Sequence, residues 1–165
     1  MRLLRRLLSA VKRTLLGLLP LLAVPDDPFA ERRLSAEEYR LFLAMDRRER
    51  YHGCAVARAL LRRRPDAPPL LVRAALLHDV GKSCRPYRVW QRILVHLYAP
   101  QSVPPEPRYP GFWGEVQAKV HHPTYGAQMI LAAGGCGRVA SLVERHHDPA
   151  GDPDAEWLRL VDDGI

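Results

Sequence analysis

The adjacent residues His78 and Asp79 lie at the end of an apolar stretch, AALLHDVGK over residues 74–82. Burying an imidazole beside a carboxylate costs several kcal/mol unless something compensates the two groups, and a divalent cation does so. Gly81 is placed to end the helix, and Lys82 adds a cation that could contact an anionic group. An isolated His-Asp pair is more often an ordinary polar helix end, so a metal site requires further ligands elsewhere in the chain.

Further histidines and aspartates, the residue types that bind metals, occur before and after this pair. His52 shares a predicted helix face with Val56 and Ala59, which places its ring on the inward side. The others stand in pairs along the sequence: His121-His122, His146-His147 and Asp162-Asp163. Such ligands on different helices are how a helical bundle builds an internal metal site. The set predicts a site for one or two divalent ions, with manganese, iron, nickel, magnesium and zinc left open.

The elements that must position these residues are predicted to be helices. Leu, Ala and Arg dominate the sequence and β-branched residues are few, a composition that favours helix. Ser35 and Glu38 have the spacing of a capping box, and the helix that they open is expected to bury Tyr39, Phe42 and Leu43. The other helices are expected over 46–64, 69–78, 86–98, 113–121, 123–133, 138–147 and 154–165, with an irregular proline-rich stretch over 100–110. We expect an all-α fold, a compact irregular helical bundle, with helix 69–78 at its centre.

The start of the chain has a different character. Over residues 1–24 leucines recur at helical spacing with arginines and lysines between them, which favours an amphipathic helix. That helix would either pack on the domain or lie on an anionic membrane surface, and a secretory signal is the third interpretation. The uncharged run over 14–24 is too short for a transmembrane helix. We divide the chain into this basic amphipathic segment, residues 1–30, and a helical domain, residues 31–165.

Charge and cysteine content argue against several other classes of protein. The chain has 25 basic and 18 acidic residues, a formal net charge of +7, but the excess is concentrated near its start, so no specific nucleic-acid partner is indicated. Cys54, Cys84 and Cys136 are odd in number and form no CxxC pair, which argues against a disulfide framework and a thiolate zinc site. A reducing cytoplasm is the expected location, in solution or on the inner face of the membrane.

The order of the candidate ligands resembles the H…HD…D pattern of the HD superfamily of metal-dependent phosphohydrolases. The resemblance implies the usual first metal site, with ligands at the family's four core positions. These positions match His52, His78, Asp79 and Asp162, with Asp163 as the alternative to Asp162.

Two later segments resemble those of HD enzymes with an enlarged, binuclear site. HPTYGAQMI is similar to their HPxxGA segment, which implies His122 as a further ligand. VERHHDP is similar to their next histidine-bearing helix end, which implies His146, replaced or joined by His147. The glycine-tyrosine-proline signature of HD-GYP cyclic-dinucleotide phosphodiesterases is missing after these histidines, which argues against that activity.

The resemblance implies hydrolysis of a phosphoester or phosphoanhydride of a nucleotide or related phosphorylated small molecule. A metal-activated water would attack phosphorus, with Asp79 ligating metal and holding the water and Lys82 contacting a phosphate oxygen. A second hypothesis is a non-catalytic module that binds metal or nucleotide as a sensor. A third is a peripheral membrane adaptor built on residues 1–24. Both hypotheses stay open because resemblance to a family indicates a type of reaction but does not identify the substrate.

Overall fold

The computed structural model describes residues 23–84 and 103–165. Residues 1–22 of the basic segment and the predicted helix over 86–98 therefore lie outside the described residues. Within the described ranges the chain forms seven α-helices and one 3-10 helix, with no strand. The α-helices are α1 (Asp27–Glu31), α2 (Ala36–Ala44), α3 (Arg47–Arg63), α4 (Pro69–Leu77), α5 (Gly111–Ala132), α6 (Gly137–Glu144) and α7 (Pro153–Asp162), and the 3-10 helix is Val80–Cys84. The predicted all-α fold is confirmed.

Side-chain caps explain where several helices begin. Ser35 accepts a hydrogen bond from the Glu38 amide while the Glu38 carboxylate accepts one from the Ser35 amide, so the predicted capping box is present. Asp46 caps α3 and Asp152 caps α7, each by accepting from backbone N–H groups of the first turn. These bonds satisfy donors that a helix start leaves without an internal partner.

Helix α4 lies at the centre of the bundle, as its apolar sequence predicts. Leu71, Leu76 and Leu77 are fully buried, and α4 packs against α3, α6 and α7. Phe42 of α2 is also fully buried, but Leu43 is 46% exposed. The expected burial of Leu43 is wrong because neighbouring helix residues point about 100° apart, and α2 turns the face of Phe42 inward.

Residues just before the expected domain boundary pack on the helical domain. Phe29 and Ala30 of α1 are buried in the main core. The guanidinium groups of Arg33 and Arg58 lie over the Phe29 ring, 3.9 and 4.9 Å from its centroid. Phe29 and Ala30, which precede residue 31, therefore pack in the same core as the helices that follow.

Helix α5 runs without interruption through Pro123. The sequence predicts two helices here because a proline removes a backbone N–H and crowds the carbonyl four residues earlier. That prediction is wrong because α5 is held along its length by packing against the 3-10 helix and α6. The carbonyl that Pro123 leaves without a helical donor, that of Lys119, accepts a hydrogen bond from Nδ1 of His122 at 2.8 Å.

The described part of the proline-rich stretch, residues 103–110, is irregular, as predicted, and is tied to α5 by side chains. Gln117 donates to two of its carbonyl oxygens at 2.7 and 3.0 Å, and the Tyr125 hydroxyl donates to a third at 2.6 Å. His121 bonds the carbonyl of Val103 through Nε2 at 2.5 Å. These contacts fix the end of the stretch along one side of α5. None of the described helices is both long and apolar enough to cross a bilayer.

The 3-10 helix packs so closely on α5 that their backbones meet. A β-carbon at Gly81 would lie 2.0 Å from the carbonyl oxygen of His122 and 2.6 Å from the amide nitrogen of Gly126. Gly81 is not among the glycines with positive φ, and α4 already ends at Leu77. The role assigned to Gly81 from sequence, ending the helix, is therefore wrong: the position needs glycine for space, and this close approach brings Asp79 beside α5.

Replacing Gly81 with alanine is expected to lower the free energy of unfolding by about 3 kcal/mol, because the added methyl group meets backbone atoms that have nowhere to move. Chemical denaturation measures this change. Gly137→Ala is the matched control, since a β-carbon there has nothing within 4 Å. The control is expected to keep or slightly raise stability, and equal stability of the two variants would contradict the close-packing explanation.

Candidate metal centre

Five parts of the fold each bring metal-binding side chains to one buried region. The side chains come from α3, the end of α4, the middle of α5, the turn after α6 and the end of α7. They are His52, His78, Asp79, His122, His146, His147 and Asp162. Four of them, His78, Asp79, His122 and His146, are at most 4% exposed.

The first ligand group consists of His52, His78 and Asp162, whose potential ligand atoms all lie within 4.8 Å of one another. Nε2 of His52 lies 2.8 Å from Oδ1 of Asp162, and Nε2 of His78 lies 3.5 Å from the same oxygen. The carboxylate of Asp162 thus faces both imidazoles, although 110 residues separate it from His52 along the chain.

The second ligand group consists of His122, His146 and His147, again with ligand atoms within 4.8 Å of one another. Nε2 of His122 faces Nε2 of His146 at 3.3 Å. The ring centroid of His147 lies 4.0 Å from that of His146 and 5.2 Å from that of His122. His147 is exposed, whereas its two partners are buried, so the group lies between the core and the surface.

The carboxylate of Asp79 lies between the two groups. Its Oδ2 is 3.6 Å from Nε2 of His78, and its Oδ1 is 3.2 Å from Nε2 of His122. One carboxylate oxygen therefore faces each ligand group. This is the arrangement by which a single carboxylate could bridge two neighbouring cations.

Lys82 lies inside the same region. Its Nζ is 2.7 Å from Oδ2 of Asp79 and 3.9 Å from Oε2 of Glu49. Glu49 is buried and precedes His52 by one helical turn, but it is not among the residues that the sequence pattern indicates. Its position three residues before a candidate ligand on the same helix is the signal that could have identified it.

Each of the three most buried histidines is held by a hydrogen bond from Nδ1 to the carbonyl three residues earlier. The distances are 2.9 Å for His78, 2.8 Å for His122 and 2.6 Å for His146. A carbonyl can only accept, so Nδ1 carries the proton in all three rings. In the neutral ring Nε2 is then the free acceptor, as a metal ligand must be.

The electrostatics of the region favour positive charge near the first group. Burial alone would lower the pKa of His78, but the charges of Asp79 and Asp162 outweigh it and raise that pKa to about 9. Burial would likewise raise the pKa of Asp79, yet the charges of Lys82 and His78 hold it well below its ordinary value. Burial and the charge of His78 lower the pKa of His146 to about 2, which keeps its ring neutral.

Two features of the donor set fit bound cations. Nε2 of His78 is buried and has no hydrogen-bond partner among the described residues. Nε2 of His122 and Nε2 of His146 face each other at 3.3 Å although both rings place a proton on Nδ1. Two facing lone pairs repel unless a proton or a cation lies between them, and imidazole and carboxylate donors suit several divalent transition metals. The residues present therefore fit a divalent metal.

The structure distinguishes the members of two of the three pairs, whereas His146 and His147 both belong to the second ligand group. Asp162 faces the first group, whereas Asp163 is exposed. His122 faces Asp79, whereas the neighbouring His121 bonds the proline-rich stretch.

Cys54, Cys84 and Cys136 form no disulfide within the described residues and belong to neither ligand group.

Comparison with known proteins gives a single family. The HD domain family model matches residues 51–163, which is most of the chain and spans both ligand groups. No curated protein and no solved structure gave a significant match. Because the matched range begins beside His52, ends just after Asp162 and covers well over half of the sequence, the chain belongs to the HD domain family.

Proposed function

We propose that the protein is a metal-dependent phosphohydrolase that cleaves a phosphoester or phosphoanhydride of a nucleotide or a related phosphorylated small molecule. The HD domain family is in general a family of metal-dependent hydrolases, which supports the reaction type. The observation that carries the proposal is the placement of Asp79, with one oxygen toward each of two three-residue ligand groups.

The proposed ligands follow from that placement. His52, His78 and Asp162 would hold one divalent ion, and His122, His146 and His147 would hold a second, with Asp79 available to both. Asp163 is not included, because its side chain is exposed while that of Asp162 contacts both histidines of the first group. When bound, such ions supply a nucleophilic water at neutral pH and balance the charge of the phosphoryl oxygens.

The chain's own residues orient the reactants. The Asp79 carboxylate accepts a hydrogen bond from the attacking water and aims it at phosphorus. Lys82 donates from Nζ to a phosphoryl oxygen, since its ammonium lies 2.7 Å from Asp79 and its side chain is 27% exposed. Burial would lower the pKa of Lys82, but the charges of Asp79 and Glu49 raise it, so the side chain stays a cation at the site.

A second lysine favours an anionic substrate. Lys119 precedes His122 by three residues on α5, and its pKa is lowered by burial and then by the charge of Lys82. Neighbouring cations beside a metal centre attract a multiply charged anion such as a phosphorylated compound. The nucleotide part of the proposal rests on the resemblance of HPTYGAQMI and VERHHDP to segments of binuclear HD enzymes.

Metal binding tests the ligand assignment directly. Asp162→Asn is expected to weaken binding of Mn²⁺ at least about 100-fold, since the loss of a partner that only orients a ligand already costs 10- to 100-fold. Isothermal titration of the chelator-treated protein measures this. Asp163→Asn is the matched control on the same helix end and is expected to bind as the wild type does. Equal affinities for the two variants would remove Asp162 from the site.

Phosphate release tests the activity. With Mn²⁺ present, Lys82→Met is expected to lower kcat for nucleotide hydrolysis about 100-fold or more, in the range for losing one donor to a transition-state oxygen. Arg159→Met, which removes an exposed cation on α7, is expected to leave kcat unchanged. Metal binding without phosphate release from any nucleotide or phosphorylated metabolite would favour the non-catalytic binding module instead.

The Asp79→Ala variant tests whether phosphate release comes from this protein or from a contaminating enzyme. It lacks the carboxylate that lies between the two ligand groups, so it is expected to lose phosphate release and to bind metal with lower affinity. A preparation of this variant that releases phosphate at the wild-type rate would show that another protein is responsible.

A further inference from the structure

We infer that Pro123 is a positioning residue that holds His122 in the tautomer the site requires, by removing one backbone N–H from the interior of α5. The inference rests on the proposed function of His122 as a metal ligand. It assigns to the proline a role in ligand geometry that its helical position alone would not predict, because proline in a helix interior is ordinarily only destabilising.

The three buried histidines make the same kind of hydrogen bond. All three donate from Nδ1 to the carbonyl three residues earlier, at 2.6 to 2.9 Å. For His78 and His146 that carbonyl belongs to the last turn of a helix, since α4 ends at Leu77 and α6 ends at Glu144. Carbonyls in a last turn lack the helical donor four residues later, so a side chain can bond them there. The Val143 carbonyl also accepts from the His146 amide, at a longer 3.5 Å.

His122 has no helix end nearby. It lies in the middle of α5, a helix of 22 residues, with ten residues of that helix following it. In a helix interior each carbonyl is taken by the amide four residues later. An imidazole at this position would therefore have to compete with a backbone donor.

Pro123 removes that competing donor. The amide that would bond the Lys119 carbonyl is the amide of residue 123, and a proline there has none. The Lys119 carbonyl accepts from Nδ1 of His122 instead, at 2.8 Å. The proline thus creates, inside a continuous helix, a carbonyl without a donor four residues later, as at the helix ends that His78 and His146 use.

The consequence for the site lies at the other ring nitrogen. With the proton fixed on Nδ1, the lone pair on Nε2 points to the space between Oδ1 of Asp79, 3.2 Å away, and Nε2 of His146, 3.3 Å away. The opposite tautomer would place an N–H there and could not ligate metal through Nε2. The hydrogen bond also fixes the plane of the ring, since Nδ1 is anchored to the backbone.

The test is Pro123→Ala in the full-length protein, with two measurements. One is the affinity for Zn²⁺, and the other is the tautomer of His122, from imidazole ¹⁵N spectra of the metal-free protein at alkaline pH. In the wild type, His122 is expected to show the tautomer with hydrogen on Nδ1. In the variant, the new amide competes for the Lys119 carbonyl, so a mixture of tautomers is expected. The affinity for Zn²⁺ is expected to fall about 10-fold or more, as for loss of other partners that orient a ligand. Thermal stability is expected to stay the same or rise, because alanine suits a helix interior better than proline.

A second variant separates the missing N–H from the proline ring. It carries at position 123 the α-hydroxy analogue of alanine, which joins the chain through an ester and has neither ring nor N–H. This variant is expected to restore the wild-type tautomer and the wild-type Zn²⁺ affinity. Thr124→Ala, a neighbouring substitution in the same helical turn that leaves every backbone donor in place, is expected to change neither quantity.

Three outcomes would overturn the inference. The first is a wild-type protein whose His122 carries its proton on Nε2, a result that needs no variant and applies even if Pro123→Ala fails to fold. The second is a Pro123→Ala variant with the wild-type tautomer and affinity. The third is an ester variant that behaves like Pro123→Ala, which would assign the effect to the ring. Absence of metal binding in the wild type would instead remove the proposed function, while the tautomer spectra would still decide the role of Pro123.

Discussion

The buried carboxylate of Asp79 is the constraint on which the rest of the site depends. A carboxylate at 3% exposure in a helical core is tolerated only with compensating positive charge. Here Lys82 lies on one side, and imidazoles from two ligand groups lie on the others. So many acceptor atoms close together would destabilise a core without a cation, but they suit divalent cations. The buried position of Asp79 is therefore better explained by cation binding than by a contribution to the stability of the fold.

Backbone atoms position this chemistry as much as side chains do. Carbonyl oxygens hold the three buried histidines through Nδ1, two of them at helix ends and one beside a proline. A backbone contact also sets the distance between the turn that carries Asp79 and helix α5. Because Gly81 lies directly against the carbonyl of His122, the turn that carries Asp79 approaches α5 closely enough for Oδ1 to reach Nε2 of His122. Gly81 is thus required for the close approach of the two backbones, and Pro123, in our proposal, frees the carbonyl that orients His122.

The adjacent histidines His121 and His122 lie on different faces of α5 and contact different parts of the protein. His122 turns into the site, while His121 points along the next face and bonds the proline-rich stretch at Val103. Gln117 and Tyr125 bond the same stretch from that face. One side of α5 therefore belongs to the region of the candidate ligands, and the adjoining side holds the described end of the proline-rich stretch. A substitution at His121 or Gln117 would act on that connection and not on the ligands.

Sequence alone determined the elements and the set of residue types. Capping signals, apolar spacing and composition suffice for helices because they depend on neighbours three or four residues apart, and Ser35 with Glu38 shows this directly. The order of histidines and aspartates likewise sufficed for the family. Tertiary structure alone decided that His122 and Asp162, rather than His121 and Asp163, face the site. It alone also decided the contribution of Glu49 and the continuity of α5 through Pro123. These outcomes depend on contacts between residues up to 110 positions apart, as with His52 and Asp162, and local spacing carries no information about such contacts.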